Sequence, residues 1–211
     1  MSLLNRKFLF VHINKSGGGV ITNHMSDNGN TTITGKHRSL TQMLQIAKQN
    51  YGIKAEDLYI FTIVRNPWER MLSMYLFYHP NNYNAPEFFS GKAEIDNEFN
   101  SWIKWIYSPD FNITRKHGVI NIRKFCFSNQ LNWISNSKGE MYPNIKIIRF
   151  ENIKNELGDL FKNVMKLEKI NLDTKIHPTK HKHYSEYYND ETRQLVADNY
   201  SKDIEYFNYT F

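Results

Sequence analysis

Phe8-Leu9-Phe10-Val11-His12-Ile13-Asn14-Lys15-Ser16-Gly17-Gly18-Gly19-Val20-Ile21 constrains this chain more than any other stretch. An unbroken run of apolar, β-prone residues stops at a lysine, a hydroxyl and three glycines, after which apolar residues resume at sparser spacing. The pattern predicts a buried strand, a tight turn and a helix start. Glycines let a backbone approach a ligand closely, the N–H dipoles of a helix N-terminus favour an anion, and Lys15 adds a full positive charge. Two readings of the turn stand: a cradle for phosphate or sulfate, or an ordinary strand-to-helix turn. The P-loop of nucleotide hydrolases has four residues between its first glycine and a Gly-Lys-Ser/Thr end. Here the lysine precedes the glycines, which counts against an ATPase or GTPase.

The 211 residues, 40% hydrophobic and 15% aromatic, suffice for one sizeable core, so a single domain over 1–211 is expected. The formal net charge of +6 favours anionic partners without choosing between nucleotide, nucleic acid and acidic glycan. One cysteine, Cys126, excludes an internal disulfide, and the eight histidines show no metal-binding spacing, so no metal is expected. Neither a signal pattern nor a long apolar helix is present, from which a cytoplasmic protein without a membrane segment is expected.

Along the chain, Val20 to Asn28 reads as a helix and Thr31 to Thr34 as a short strand. His37 follows that strand, on the rim where ligands gather in open α/β sheets, although by its sequence alone an ordinary surface-loop histidine is the favoured reading. Ser39 can cap a helix running to about Gly52 along Met43, Leu44 and Ala47. Leu58 to Val64 is a second buried strand, and Arg65-Asn66-Pro67-Trp68-Glu69-Arg70 turns it directly into a helix. Asn66 suits the N-cap, Pro67 the first helical position and Glu69 the capping-box position. Ser73 lies two helical turns beyond Asn66, so Arg65 and Ser73 could address one anion. Alternatively, Arg65 and Arg70 are ordinary surface charges.

Together these stretches resemble the two signature motifs of 3′-phosphoadenosine-5′-phosphosulfate-dependent sulfotransferases, of the carbohydrate-directed family 2 kind. Phe10 to Gly18 is similar to the 5′-phosphosulfate loop, FxHIPKTGGTS, and Ile63 to Tyr75 to the 3′-phosphate motif, VRNPxxRxxSxY. The resemblance implies an α/β, P-loop-like three-layer fold with a central, mainly parallel sheet flanked by helices. It implies that Lys15, Ser16, Gly17, Gly18, Gly19 and Val20 hold the 5′-phosphosulfate, and that Arg65 and Ser73 hold the 3′-phosphate. Asn14 replaces the family's proline, and Gly19-Val20 replace its Thr-Ser, which removes a hydroxyl contact to the phosphosulfate.

An aromatic, Asn-rich insertion at about 78–114 is the expected acceptor region. Within it Phe99, Trp102, Ile103 and Ile106 form a helical core stripe, and off-stripe Trp105 either packs under a loop or stacks on a sugar ring. Asn121 to Ile134 reads as a helix, Asn144 to Phe150 as a strand, and Glu151 onward as a helix with Ile153, Leu157, Leu160, Phe161 and Val164 on one face. The basic segment Pro178 to His183 is a solvated charge run, a nucleic-acid patch or, by the resemblance, a loop over the nucleotide that includes Lys180 and His181. Asn189 to Phe207 reads as a closing helix.

The expected reaction moves a sulfuryl group to a hydroxyl or amine of a glycan or small molecule, leaving adenosine 3′,5′-bisphosphate. Lys15 would neutralise charge on the leaving phosphate and His37 would act as base. The rivals are a nucleotide kinase or hydrolase and, less favoured because the basic residues are dispersed, a non-enzymatic nucleic-acid-binding module.

Overall fold

The computed structural model describes residues 2–21, 37–78, 98–109, 125–168, 172 and 181–211. They fall into two compact units interleaved in sequence, one comprising Met1–Arg65 and Gln130–Pro178, the other Asn66–Asn129 and Thr179–Phe211.

The first unit carries the sheet. Strands β1 (Ser2–Leu4), β2 (Phe8–Val11), β3 (Tyr59–Val64) and β4 (Ile145–Arg149) lie in the order β1-β2-β3-β4. β2, β3 and β4 are parallel, and β1 pairs antiparallel with β2. The three-residue β1–β2 connection turns through Asn5 and Arg6, both with positive φ. β2 and β3 read as apolar runs because both their faces are covered, whereas β4, at the end of the strand order, exposes Lys146 and Arg149. One face presents Phe10, Phe61, Ile63 and Ile148 to Ile21, Leu157, Leu160, Phe161 and Met165. Residues 18–21 are helical, as expected for the start of that helix, while most of it and the strand expected at Thr31–Thr34 lie outside the described residues.

Helix α1 (Leu40–Tyr51) begins with a full capping box, Ser39 with Gln42, and ends at Gly52 in the left-handed region. Its buried face is Leu40, Met43 and Ala47; Leu44 is half-buried. Helix α5 (Ile153–Asp159) follows β4 and continues as one π turn over Leu160–Val164, carrying the expected apolar stripe into the core.

The second unit is helical: α2 (Pro67–Tyr78), α3 (Phe99–Ile106), α6 (Asp190–Asn199) and α7 (Ser201–Phe207). Trp68, Met71, Leu72, Met74, Tyr75, Phe99, Trp102, Ile103, Ile106, Val196 and Tyr200 form its core. Trp105 is half-buried and packs against this cluster.

Two expected helices are broken. In the 121–134 segment, the described part is helical at 125–126, turns through 127–130, and resumes as α4 (Leu131–Ile134). Ser128 Oγ donates to the Phe125 carbonyl, the local side-chain bond by which serine competes with helix continuation. The closing helix breaks at Tyr200, where Asn129 Nδ2 takes the Asn199 carbonyl and the Tyr200 hydroxyl donates to Phe127 O. A side chain inserted at a carbonyl is a recognised cause of such a break.

Candidate functional site

The parallel arrangement of β2 and β3 delivers two chain segments to the same sheet edge. β2 runs into His12 and the Lys15 loop; β3 runs into Arg65. Thr62 Oγ1 donates to the Val11 carbonyl at 2.8 Å and ties β2 to β3 where β2 ends.

The loop has an unusual backbone. Lys15 (φ 61°) and Gly17 (φ 84°) both sit in the left-handed region. For glycine this carries no steric penalty; for lysine it costs on the order of 1 kcal/mol, so neighbouring contacts must hold it. Arg65 Nη1 donates to the Lys15 carbonyl at 3.1 Å, and its guanidinium lies over the Phe150 ring at 4.0 Å. Phe150 also limits Gly17, because a Cβ there would come within 2.9 Å of the ring. Gly18 is limited more severely. A Cβ would stand 2.3 Å from the His12 ring, which is stacked on Phe10 and lies 4.7 Å from the His37 ring, centroid to centroid. The loop backbone therefore rests directly on aromatic surface, a packing only glycine permits.

Two cations meet here. Burial, and secondarily the charge of Arg65, lowers the Lys15 ammonium to a pKa of about 8. Arg65 is itself buried, with 8% of its surface exposed. Concentrated positive charge beside a close-approach backbone has the chemistry of an anion site, and a bound dianion would relieve the repulsion between Lys15 and Arg65.

His37 also lies at this edge. Its Nδ1 is 3.3 Å from the His12 carbonyl and its ring meets the edge of Trp133. A carbonyl only accepts, so Nδ1 carries the hydrogen in this bond.

The structure thus brings together Lys15, Ser16, Gly17, Gly18 and Arg65 through direct contacts and a shared buried glutamine, Gln130, and sets His37 against His12 of the same motif. Gly19 and Val20 follow in the helical residues 18–21. Ser73, half-buried on α2, and His181 belong to the second unit. His181 is exposed, with Nδ1 bonded to the Lys182 carbonyl at 2.6 Å. Lys180 lies outside the described residues. Arg70 is no surface charge: it is fully buried and donates to the carbonyls of Cys126 and Ser128 at 2.7 and 3.3 Å.

Sequence reasoning passed over His12 and Gln130. Residues 8, 10 and 12 share one strand face, so alternation alone puts His12 beside the core. Gln130 resembles a glutamine in this part of family members, but the sequence assigns it no role, because that role is defined by residues more than sixty positions away.

A glycine loop with a half-buried lysine and a buried arginine at one sheet edge has the chemistry to hold a phosphate or sulfate ester. The family model described as the Sulfotransferase family matches residues 5–210, nearly the whole chain, and the protein belongs to that family. It is a sulfuryl-transferring enzyme by family. No curated protein and no solved structure gave a significant match. Among the described residues no helix is long and apolar enough to cross a membrane.

Proposed function

We propose that this enzyme transfers the sulfuryl group of 3′-phosphoadenosine-5′-phosphosulfate to a hydroxyl or amine acceptor, with carbohydrate hydroxyls first among them. The observation that carries the reading is the convergence of Lys15 and Arg65, whose guanidinium donates to the Lys15 carbonyl. The residues fit the donor's chemistry: two cations suit its two anionic ends, and Gly17 and Gly18 let the loop backbone lie against Phe150 and His12, where a Cβ would clash.

Lys15 and the backbone of Ser16 to Val20 hold the phosphosulfate end. Arg65 takes the 3′-phosphate, with Ser73 as a partner on the strength of the motif, and Lys180 and His181 are the late-loop candidates. In sulfuryl transfer the moving group passes between two oxygens roughly in line, so the protein's work is positioning and charge stabilisation. Lys15 neutralises charge on the leaving phosphate. His37 Nε2 takes the acceptor proton, a contribution of ~10²- to 10⁴-fold in rate.

Calorimetric titration with adenosine 3′,5′-bisphosphate beside ATP tests the donor class. Tight binding of the bisphosphate alone is expected; magnesium-dependent ATP turnover would transfer the protein to the kinase or hydrolase class. For the roles, Lys15→Ala abolishes turnover, while His37→Ala lowers it and leaves bisphosphate affinity nearly intact. Unchanged turnover in His37→Ala would remove that residue from the base role.

A further inference from the structure

Gln130 is fully buried at the start of α4, and its amide bonds both the Ser16 loop and the Arg65 backbone. Its Oε1 accepts from the Arg65 backbone N–H at 2.9 Å and from Ser16 Oγ at 3.3 Å. Its Nε2 donates to the Arg65 carbonyl at 2.8 Å. The pairing of β3 with β4 ends one residue earlier, at Val64 with Arg149. A single side-chain amide therefore does for Arg65 what a neighbouring strand would do, satisfying both its N–H and its C=O. Only a planar primary amide offers an acceptor and a donor in this form: a glutamate cannot donate, and an asparagine is one methylene short.

From this geometry we infer that Gln130 is a positioning residue that sets the spacing between the Ser16 loop and Arg65, so that both phosphates of one adenosine 3′,5′-bisphosphate moiety are met at once. The inference rests on the donor reading above and deepens it. Arg65 is held at both ends, its backbone by Gln130 and its head by the Lys15 carbonyl and the Phe150 face. Sites fixed beforehand lose less on binding a rigid two-headed ligand than sites that must be ordered by it. Ser16 acquires a definite role as well: its hydroxyl donates to Gln130, so it offers the ligand its backbone and not its O–H.

The test is the ratio of affinities for adenosine 3′,5′-bisphosphate and adenosine 5′-monophosphate, measured by calorimetry. In the wild type the bisphosphate binds tighter by roughly 10- to 100-fold, the gain from a charge-assisted contact at the second phosphate. In Gln130→Leu the ratio collapses to about threefold or less, while 5′-monophosphate affinity changes little, because the lost property is spacing. General destabilisation would weaken both ligands alike and leave the ratio standing. Should Gln130→Leu not fold, Gln130→Asn keeps the amide but lacks its reach, and its ratio falls too. A wild-type ratio in either folded variant overturns the clamp and spares the donor reading. A wild type without preference for the bisphosphate overturns the donor reading itself.

Discussion

Lys15 links local physics to function most directly. Its charged form is disfavoured by burial and by Arg65, so at a pKa of about 8 it loses its proton well below the ordinary lysine range. Anion binding needs that proton. Affinity for adenosine 3′,5′-bisphosphate is therefore level just below pH 8 and declines above it by up to about tenfold per pH unit, until the pH passes the higher Lys15 pKa of the complex. Calorimetry between pH 7 and 10 in buffers of different ionisation enthalpy checks this, since binding above pH 8 must also take up a proton. Gly18 gives a second residue-scale prediction. His12 cannot retreat from an added Cβ, being packed between Phe10 and His37, so Gly18→Ala displaces the loop and weakens bisphosphate binding by about tenfold or more. Titration of that variant beside the wild type is the check; equal affinity would mean that the loop is not seated on His12 when ligand binds. The lysine and the glycines were legible as a possible anion cradle. That Arg65 would lower the Lys15 pKa was not, because the shift depends on a contact across fifty residues.

At the scale of elements, junction chemistry is local and was readable. Asn66 Oδ1 accepts from the Trp68 and Glu69 N–H groups, Pro67 opens α2, and Ser39 with Gln42 closes the box on α1. Asn66 does more than cap: its Nδ2 donates to the Thr210 carbonyl at 2.9 Å and to the Tyr184 hydroxyl at 3.4 Å. Asn66→Ala should cost about 2–3 kcal/mol, the sum of a lost cap and of buried hydrogen bonds left unmade. Asn66→Asp keeps the cap and loses only the donor, so denaturant unfolding of the two variants separates the contributions. Equal losses would assign the whole effect to the Nδ2 contacts. The helix breaks at 127–130 and at Tyr200 escaped the sequence because their apolar spacing continues through them. They are imposed by partners distant in sequence, Asn129 on the Asn199 carbonyl and Tyr200 on Phe127.

For the whole molecule, the consequence of the donor reading is linkage: a ligand bound only by the folded state stabilises it in proportion to its occupancy. Adenosine 3′,5′-bisphosphate at 100 times its dissociation constant should add about 2.7 kcal/mol, read as a rise in the thermal midpoint that ATP does not match. Equal shifts from both nucleotides would count against recognition of the 3′-phosphate. The strands β2, β3 and β4, the glycine loop, the helix caps and the family followed from the sequence, because each rests on residues near one another in the chain and on regular periodicity; strand β1 and the order of the sheet did not. Tertiary structure alone decided that Arg70 is a buried tie to the 126–128 turn, that Arg65 grips the Lys15 carbonyl, and that Gln130 completes the β3 end. A charged or amide side chain has the same character in solvent and in a core; which of the two it occupies depends on carbonyls and N–H groups that only folding brings within reach.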